Sequence, residues 1–260
     1  MTIKNRVSGE FAQMITCQLD AEQTIYSDAN HYRWKTANVT IETRLSTPSG
    51  KDDAPKKTGF LAGALSAATD VAKRALTGQS LAFQWFSAAG GSGLIAFSGD
   101  QPGQVRVIEL DGSVGWLAER RAFICAESGV NFDIAYNGLM QGRRSGEGVF
   151  LEKFTGTGTL VVAGGGSIVE VNPNDFGGKI QVHAGALVAF ADSVQYGVEM
   201  IGALNAQTLM TVAFGGQGLS VITLSGDGPV LLQATLHRAV DQEEHHQREE
   251  QRGGSLLDRL

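Results

Sequence analysis

Apolar and polar positions alternate with a period of two along most of this chain, which is the spacing of side chains on the two faces of a β-strand. Met14-Ile15-Thr16-Cys17-Gln18-Leu19 is one such run, Gln23 to Tyr26 a second, and Val39-Thr40-Ile41-Glu42-Thr43-Arg44-Leu45 a third. The stretch from Gly146 to Ala163 organises the rest. Its two apolar runs flank Thr155-Gly156-Thr157-Gly158, which predicts a strand, a glycine turn and a second strand.

That pattern recurs. A shift of 70 carries Gly148 to Gly218, Phe154 to Leu224, Gly156 to Gly226, Gly158 to Gly228 and Val161 to Leu231. A shift back by 68 carries Val149 to Leu81, Phe154 to Phe86 and Thr155 to Ser87, with a turn three residues longer at Ala88 to Gly93. A strand-turn-strand piece recurs as well. Asn30 moves by 91 to Arg121 and then by 64 to Gly185, and Val39 and Ile41 land on Val130 and Phe132, then on Val194 and Tyr196. Three pieces and three hairpins predict an all-β protein of three similar units around a pseudo-threefold axis. The first unit would combine the N-terminal piece with the C-terminal hairpin, or each hairpin would pair with the piece that follows it. Either way the chain ends must meet, since half a unit would expose a sheet edge. Gly156, Gly158, Gly226 and Gly228 are the structural turn residues, and Gly156 and Gly226 are expected at positive φ.

Three inserts interrupt the strands, and all precede a hairpin. Residues 47–58 are polar and hold Pro48, Gly50 and Pro55, a loop composition. Residues 59–77 carry Leu61, Leu65, Ala68, Ala72, Ala75 and Leu76 at helical spacing and end before Gly78, which predicts a helix. Residues 137–147 and 201–217 form the other two inserts. At about 100° per residue, Phe60 and Leu65 stand about 140° apart on the helix, and Leu65 and Val71 about 120°. A helix resting on a sheet needs one apolar face, so Phe60, Leu61 and Leu65 are candidates for docking against a second copy, a partner protein or a lipid surface. Packing under the preceding loop is the plain alternative. Lys73 and Arg74 at the rim favour anionic headgroups, and Arg143 and Arg144 in the second insert join them as candidate contacts, a solvated loop being the plain reading. The body is expected over residues 1–240, followed by a charged tail at 241–260.

Charge and composition narrow the function. The net charge is −6, which disfavours a nucleic-acid backbone as partner. The tail alone holds six acids and three arginines, leaving −3 on the body. Glycine is abundant at 34 residues without a collagen period, as many tight turns require. Cys17 and Cys125 are too few for a disulfide framework, and a reduced compartment is expected. No apolar run resembles a signal peptide or a membrane span, so a cytoplasmic location follows. His31, His183 and His237 are scattered, and half-exposed strand histidines are the favoured reading over metal ligands. Tyr32 and Trp34 should face the core and Arg33 and Lys35 the solvent, because the segment alternates. Gly90-Gly91-Ser92-Gly93 is no nucleophile elbow. Gly177-Gly178-Lys179 lacks both the earlier glycine and the following Ser or Thr of a phosphate loop. Gly164-Gly165-Gly166 leads into a strand, which no dinucleotide-binding fingerprint does. No catalytic residue, metal site or cofactor is expected.

The Gly146-Glu147-Gly148-Val149-Phe150 run, the Phe154 to Gly158 turn, their echo at Gly218 to Gly228, the Gly63 to Gly78 helix and Ile201-Gly202-Ala203-Leu204 together resemble the altered-inheritance-of-mitochondria family. The resemblance covers roughly residues 10–238. It implies three repeats of a β-structure similar to the tryptophan-RNA-binding attenuation protein about a pseudo-threefold axis, no enzyme activity, and, from the mitochondrial branch, a link to inner-membrane organisation. Two function classes stay open: a non-catalytic scaffold or interaction protein, with another protein, a second copy or an anionic membrane surface as partner; and a small-ligand-binding β protein or enzyme.

Overall fold

The computed structural model describes residues 2–44, 83–135, 151–200 and 220–236. Among them the fold is nearly all β, and the helical segments are 3₁₀ turns at Pro173–Phe176 and Ala184–Ala186. The expected helix at 59–77, the inserts at 47–58, 137–147 and 201–217, and the tail at 241–260 lie outside the described residues.

β12 (Leu151–Gly165) joins two ladders. Its first half lies between β9 (Trp116–Glu119) and β11 (Val130–Ala135). Its second half lies between β8 (Gly103–Asp111) and β10 (Phe123–Glu127). The expected glycine hairpin is therefore absent here, and one strand runs through. Gly156 at φ +97° and Gly158 at +130° alternate with Thr157, which stays in the strand. A two-residue hairpin turn of the commonest type needs adjacent positive φ values. Separated ones bend the strand and send its two halves into different ladders.

The other two glycine segments also part their flanking strands. β6 (Phe83–Ala88) lies between β3 (Thr24–Asp28) and β5 (Val39–Arg44), whereas β7 (Gly93–Ser98) lies between β2 (Met14–Leu19) and β4 (Tyr32–Lys35). β17 (Ser220–Ser225) lies between β14 (Lys179–Val182) and β16 (Gln195–Met200), and β18 (Val230–Gln233) between β13 (Ile168–Val171) and β15 (Leu187–Ala191). Neither expected pairing of pieces with hairpins occurs. Each strand pair flanking a glycine segment takes its partners from the chain that precedes it, so no half-unit is left for the chain ends to complete. β1 (Lys4–Ser8) covers the outer side of β2.

Two pairings link neighbouring groups of strands, β3 with β10 and β9 with β15. A register shift falls between Tyr32 and Trp34 in β4, Phe123 and Cys125 in β10, and Leu187 and Ala189 in β15. The shift corrects the simple alternation expected of β4. Tyr32 stacks on Phe86 at 5.7 Å, but Trp34 is 41% exposed, because an extra residue turns the next side chain to the other face.

The core follows the ladders. Tyr26, Phe83, Trp85, Phe123, Phe132 and Phe154 pack together across the β3–β10 junction, with Phe123 stacked on Phe154 at 5.0 Å. Each such ring stabilises by about 1.5–3 kcal/mol on burial. A second cluster fills the space under β2, β7 and β10, and a third lies under β14, β15, β17 and β18.

The bend gives a graded prediction. A Cβ on Gly156 would run into the Gly129 carbonyl, whereas on Gly226, at φ +107°, it would sit 3.3 Å from the Ser193 carbonyl. Gly156→Ala should lose about 1–3 kcal/mol in urea unfolding, and Gly226→Ala less. The reverse order would show that the bend in β12 does not depend on its glycine.

Candidate functional site

The sites expected from sequence are not assembled among the described residues. Phe60, Leu61, Leu65, Lys73, Arg74, Arg143 and Arg144 lie outside them, as does His237. Gly156 and Gly158 lie within β12, while Gly226 and Gly228 lie between β17 and β18 at φ +107° and +154°. Among the described residues no group of three or more His, Cys, Asp or Glu could hold a metal ion, and no helix is long and apolar enough to cross a membrane.

The polar chemistry concentrates at the junctions between strand groups. Glu127 ends the apolar run Phe123-Ile124-Cys125-Ala126 and is 8% exposed. One carboxylate oxygen accepts the Ile3 amide at 2.6 Å and the other the Thr159 amide at 2.7 Å. Glu127 thus ties β1's approach to the bend of β12. A cavity of ≈ 370 Å³ opens beside it, lined among others by Thr2, Glu22, Thr24, Ser128 and Thr157. Nearby, burial pushes the Glu109 carboxyl up, opposed by a hydrogen bond from Thr159 and assisted by the charge of Glu127.

Other junctions use the same device. Gln13 accepts the Val105 amide at 2.9 Å and Gln104 the Ile168 amide at 2.8 Å. Buried Gln233 accepts the Gly165 amide and donates to the Gly185 carbonyl, both at 2.7 Å. Asp192 accepts the Gly115 amide at 3.1 Å and pairs with Lys153 at 3.3 Å. Tyr26 donates to the Val130 carbonyl at 3.0 Å, and Ser27 to the Ile124 carbonyl at 2.7 Å. These side chains hold backbone, and a reacting group would have to displace it. Sequence reading missed them. Their only mark is a single polar residue closing an apolar strand, as in Phe123 to Glu127 or Val230 to Gln233.

The remaining candidates divide. His31 is buried, correcting the half-exposed reading, and its Nδ1 sits 3.3 Å from the Ser98 carbonyl and 3.6 Å from Asp100. Burial holds its imidazole below the usual range, against the upward pull of Asp100 and Ser98. His183 is exposed and caps the 3₁₀ turn by accepting the Gly185 amide at 3.0 Å. Cys17 and Cys125 are free and buried; burial first, then the neighbouring Cys17, pushes the Cys125 thiol far up, which leaves it unreactive. Ser92 donates to Asp20 at 2.6 Å, holding that exposed carboxyl low together with Gln18.

The fold and these junctions define an all-β protein whose buried polar groups stitch strand groups together. The chain belongs to the family described as mitochondrial biogenesis AIM24, which matches residues 5–235. No curated protein matches it. Among solved structures, it is similar to the crystal structure of protein SPYM3_0169 from Streptococcus pyogenes at 19% identity and a TM-score of 0.66, covering 99% of this chain and 100% of that one. That likeness is one of fold.

Two predictions follow from the buried polar groups. Glu127→Ala leaves two amides without an acceptor and should cost about 2–4 kcal/mol, read by urea unfolding; an unchanged midpoint would remove Glu127 from the junction. His31 gives a pH signature. Its folded value is depressed, so the unfolded chain takes up the proton first as pH falls through about 6.5. The stability of neutral His31 is therefore present above that pH and is lost below it. Between pH 8 and pH 5, wild type should lose more thermal stability than His31→Gln, and parallel losses would overturn the assignment.

Proposed function

We propose that this chain is a non-catalytic scaffold or interaction protein whose body, residues 1–240, is built from three copies of one six-stranded β unit and works at a membrane periphery on the cytoplasmic side. The copies are β2–β7, β8–β12 and β13–β18, with the two halves of β12 standing for two strands. Supporting this, the fifth strand position always lies between the second and fourth, and the sixth between the first and third. The register shift falls in the third strand of each copy. A pseudo-threefold axis would bring β4 to β14. Among the described residues no such pairing occurs, but one core cluster takes Tyr26, Phe83 and Trp85 from the first copy and Ile168, Val188 and Leu231 from the third, which supports placing the copies about that axis.

The observation that carries the scaffold reading is the use of buried polar side chains. Glu127, Gln233, Gln13, Gln104 and Asp192 all accept backbone amides at junctions. Structure absorbs the groups that chemistry would need. The partner is another protein, a second copy or an anionic lipid surface, contacted through Phe60, Leu61, Leu65, Lys73, Arg74, Arg143 and Arg144, with no cofactor. The family's mitochondrial-biogenesis description is compatible with a membrane-organising role. A second reading, a small-ligand protein, is favoured by the cavity beside Glu127.

Thermal shift against a metabolite panel separates the two, because a ligand that binds only the folded state raises the melting temperature by mass action. No shift is expected, and a reproducible one abolished by Thr24→Trp would favour the second reading. For the membrane, Leu61→Ser/Leu65→Ser and Lys73→Glu/Arg74→Glu should each reduce sedimentation with vesicles containing anionic lipid. Unchanged sedimentation would place the interaction face elsewhere.

A further inference from the structure

The two pairings that link neighbouring groups of strands each place a carboxylate at the end of a buried apolar strand. At the β9–β15 pairing Asp192 follows β15 and accepts the Gly115 amide at 3.1 Å. It has a counter-charge, Lys153 at 3.3 Å. At the β3–β10 pairing Glu127 ends β10 and accepts the Ile3 and Thr159 amides, but it makes no ion pair among the described residues. Asp192 is exposed, whereas Glu127 is 8% exposed. The deeper carboxylate is thus the one without a partner charge, although burial makes an unpaired charge more costly.

Glu127 faces the cavity of ≈ 370 Å³ instead. No lysine, arginine or histidine among the described residues lines it. Ile3 and Leu110 supply apolar wall, Glu22 a second carboxylate, and Thr24, Ser128 and Thr157 hydroxyls. Those three hydroxyls make no hydrogen bond among the described residues. An ionised carboxylate has about four acceptor sites, and the two amides leave Glu127 with spare capacity. Behind it Glu109 accepts the Thr159 hydroxyl at 3.2 Å, which brings a third carboxylate close. Such a lining repels carboxylates and phosphates and attracts a compact cation that only donates. Among the described residues no group of three or more His, Cys, Asp or Glu could hold a metal ion, so the charge that fits is organic.

We infer that this cavity takes the ammonium of a lysine side chain presented by the scaffold's protein partner. An ammonium has three donors and no acceptor, and Glu127 with the lining hydroxyls meets them. The methylene stem lies along Ile3 and Leu110, as lysine stems do on apolar surface. The chain already uses a lysine in this way at its other junction, where Lys153 meets Asp192. This rests on the scaffold reading and names the side chain by which its protein partner is held.

Titration of the full chain with n-butylammonium chloride, the lysine side chain without its backbone, tests the chemistry. Correlation spectra of the backbone amides are followed up to about 50 mM. The Thr24, Ser128, Gly129 and Thr159 amides are expected to shift together and saturate, with a dissociation constant on the order of 10 mM. That is too weak to register in a metabolite thermal-shift panel. n-Butanol and sodium chloride at the same concentrations should leave the four amides in place. An acetylated and amidated Gly-Lys-Gly peptide should bind at least as tightly as n-butylammonium, and the same peptide with its lysine acetylated should not bind. Glu22→Lys, at an exposed residue of the cavity wall, supplies an ammonium from within the chain. It should raise the melting temperature and abolish the n-butylammonium shifts. Absence of a saturable shift in wild type overturns the inference, as do equal shifts with n-butanol or with sodium chloride, an adventitious ion only. So does a Glu22→Lys variant that binds n-butylammonium like wild type. A free amine that binds far more tightly than the lysine peptide also overturns it and gives the cavity to the small-ligand reading. All of these outcomes leave the scaffold reading to its own vesicle test.

Discussion

A strand can join two ladders only if its backbone bends without losing its hydrogen bonds, and β12 meets that condition at Gly156 and Gly158. Their φ values of +97° and +130° lie where side chains are strained. Leu151–Gly156 serves β9 and β11, and the continuation to Gly165 serves β8 and β10. The aromatic cluster depends on the bend, because Phe154 before it and Leu160 and Val162 after it must reach the same interior as Phe123. Glu127 then fixes the bend from outside the strand by accepting the Thr159 amide.

The bend also explains why polar side chains are buried at all. Where a strand leaves one ladder for another, some amides lose their ladder partner, and a buried amide without an acceptor costs more than a surface one. Glu127 takes two such amides, and Gln233 serves an amide and a carbonyl at once. At the sequence offset of 91 Thr36 stands where Glu127 does, and its hydroxyl accepts the Leu94 amide at 3.0 Å. A shorter side chain suffices there, since Thr36 has no N-terminal strand to hold and is half-buried.

The sequence carried the period-two alternation of an all-β chain but not the connectivity. The offsets of 91 and 64 superpose Val39, Val130 and Val194, each of which is buried. Period-two alternation marks which face of a strand is apolar and is silent about which neighbour the strand has. Thr155 to Gly158 therefore read as a reversal, although the same residues can bend a strand. Trp34 was misplaced for a related reason, because an extra residue in β4 is invisible in the pattern it disrupts. The junction residues were harder still. A lone Glu or Gln at the end of an apolar run looks solvent-facing until the amide it accepts, distant in sequence by 124 residues for Ile3 and Glu127, is known.

The same logic separates the ends of the body from its middle. Small residues, Cys125 opposite Ser27 and Ala189 opposite Ala118, fill the two internal junctions and are buried on both sides. Trp34, Lys35 and Gln181 at the outer edges are long side chains suited to partial solvent exposure, and lysine on an edge strand opposes indiscriminate pairing. β2 shows the contrast, since its outer side is closed by β1 along five residue pairs. Among the described residues β4 and β14 each pair with one strand, as do β5, β8, β11, β13 and β16, so polar and long side chains guard most edges and only β2 has its outer side closed by a strand from the chain's start.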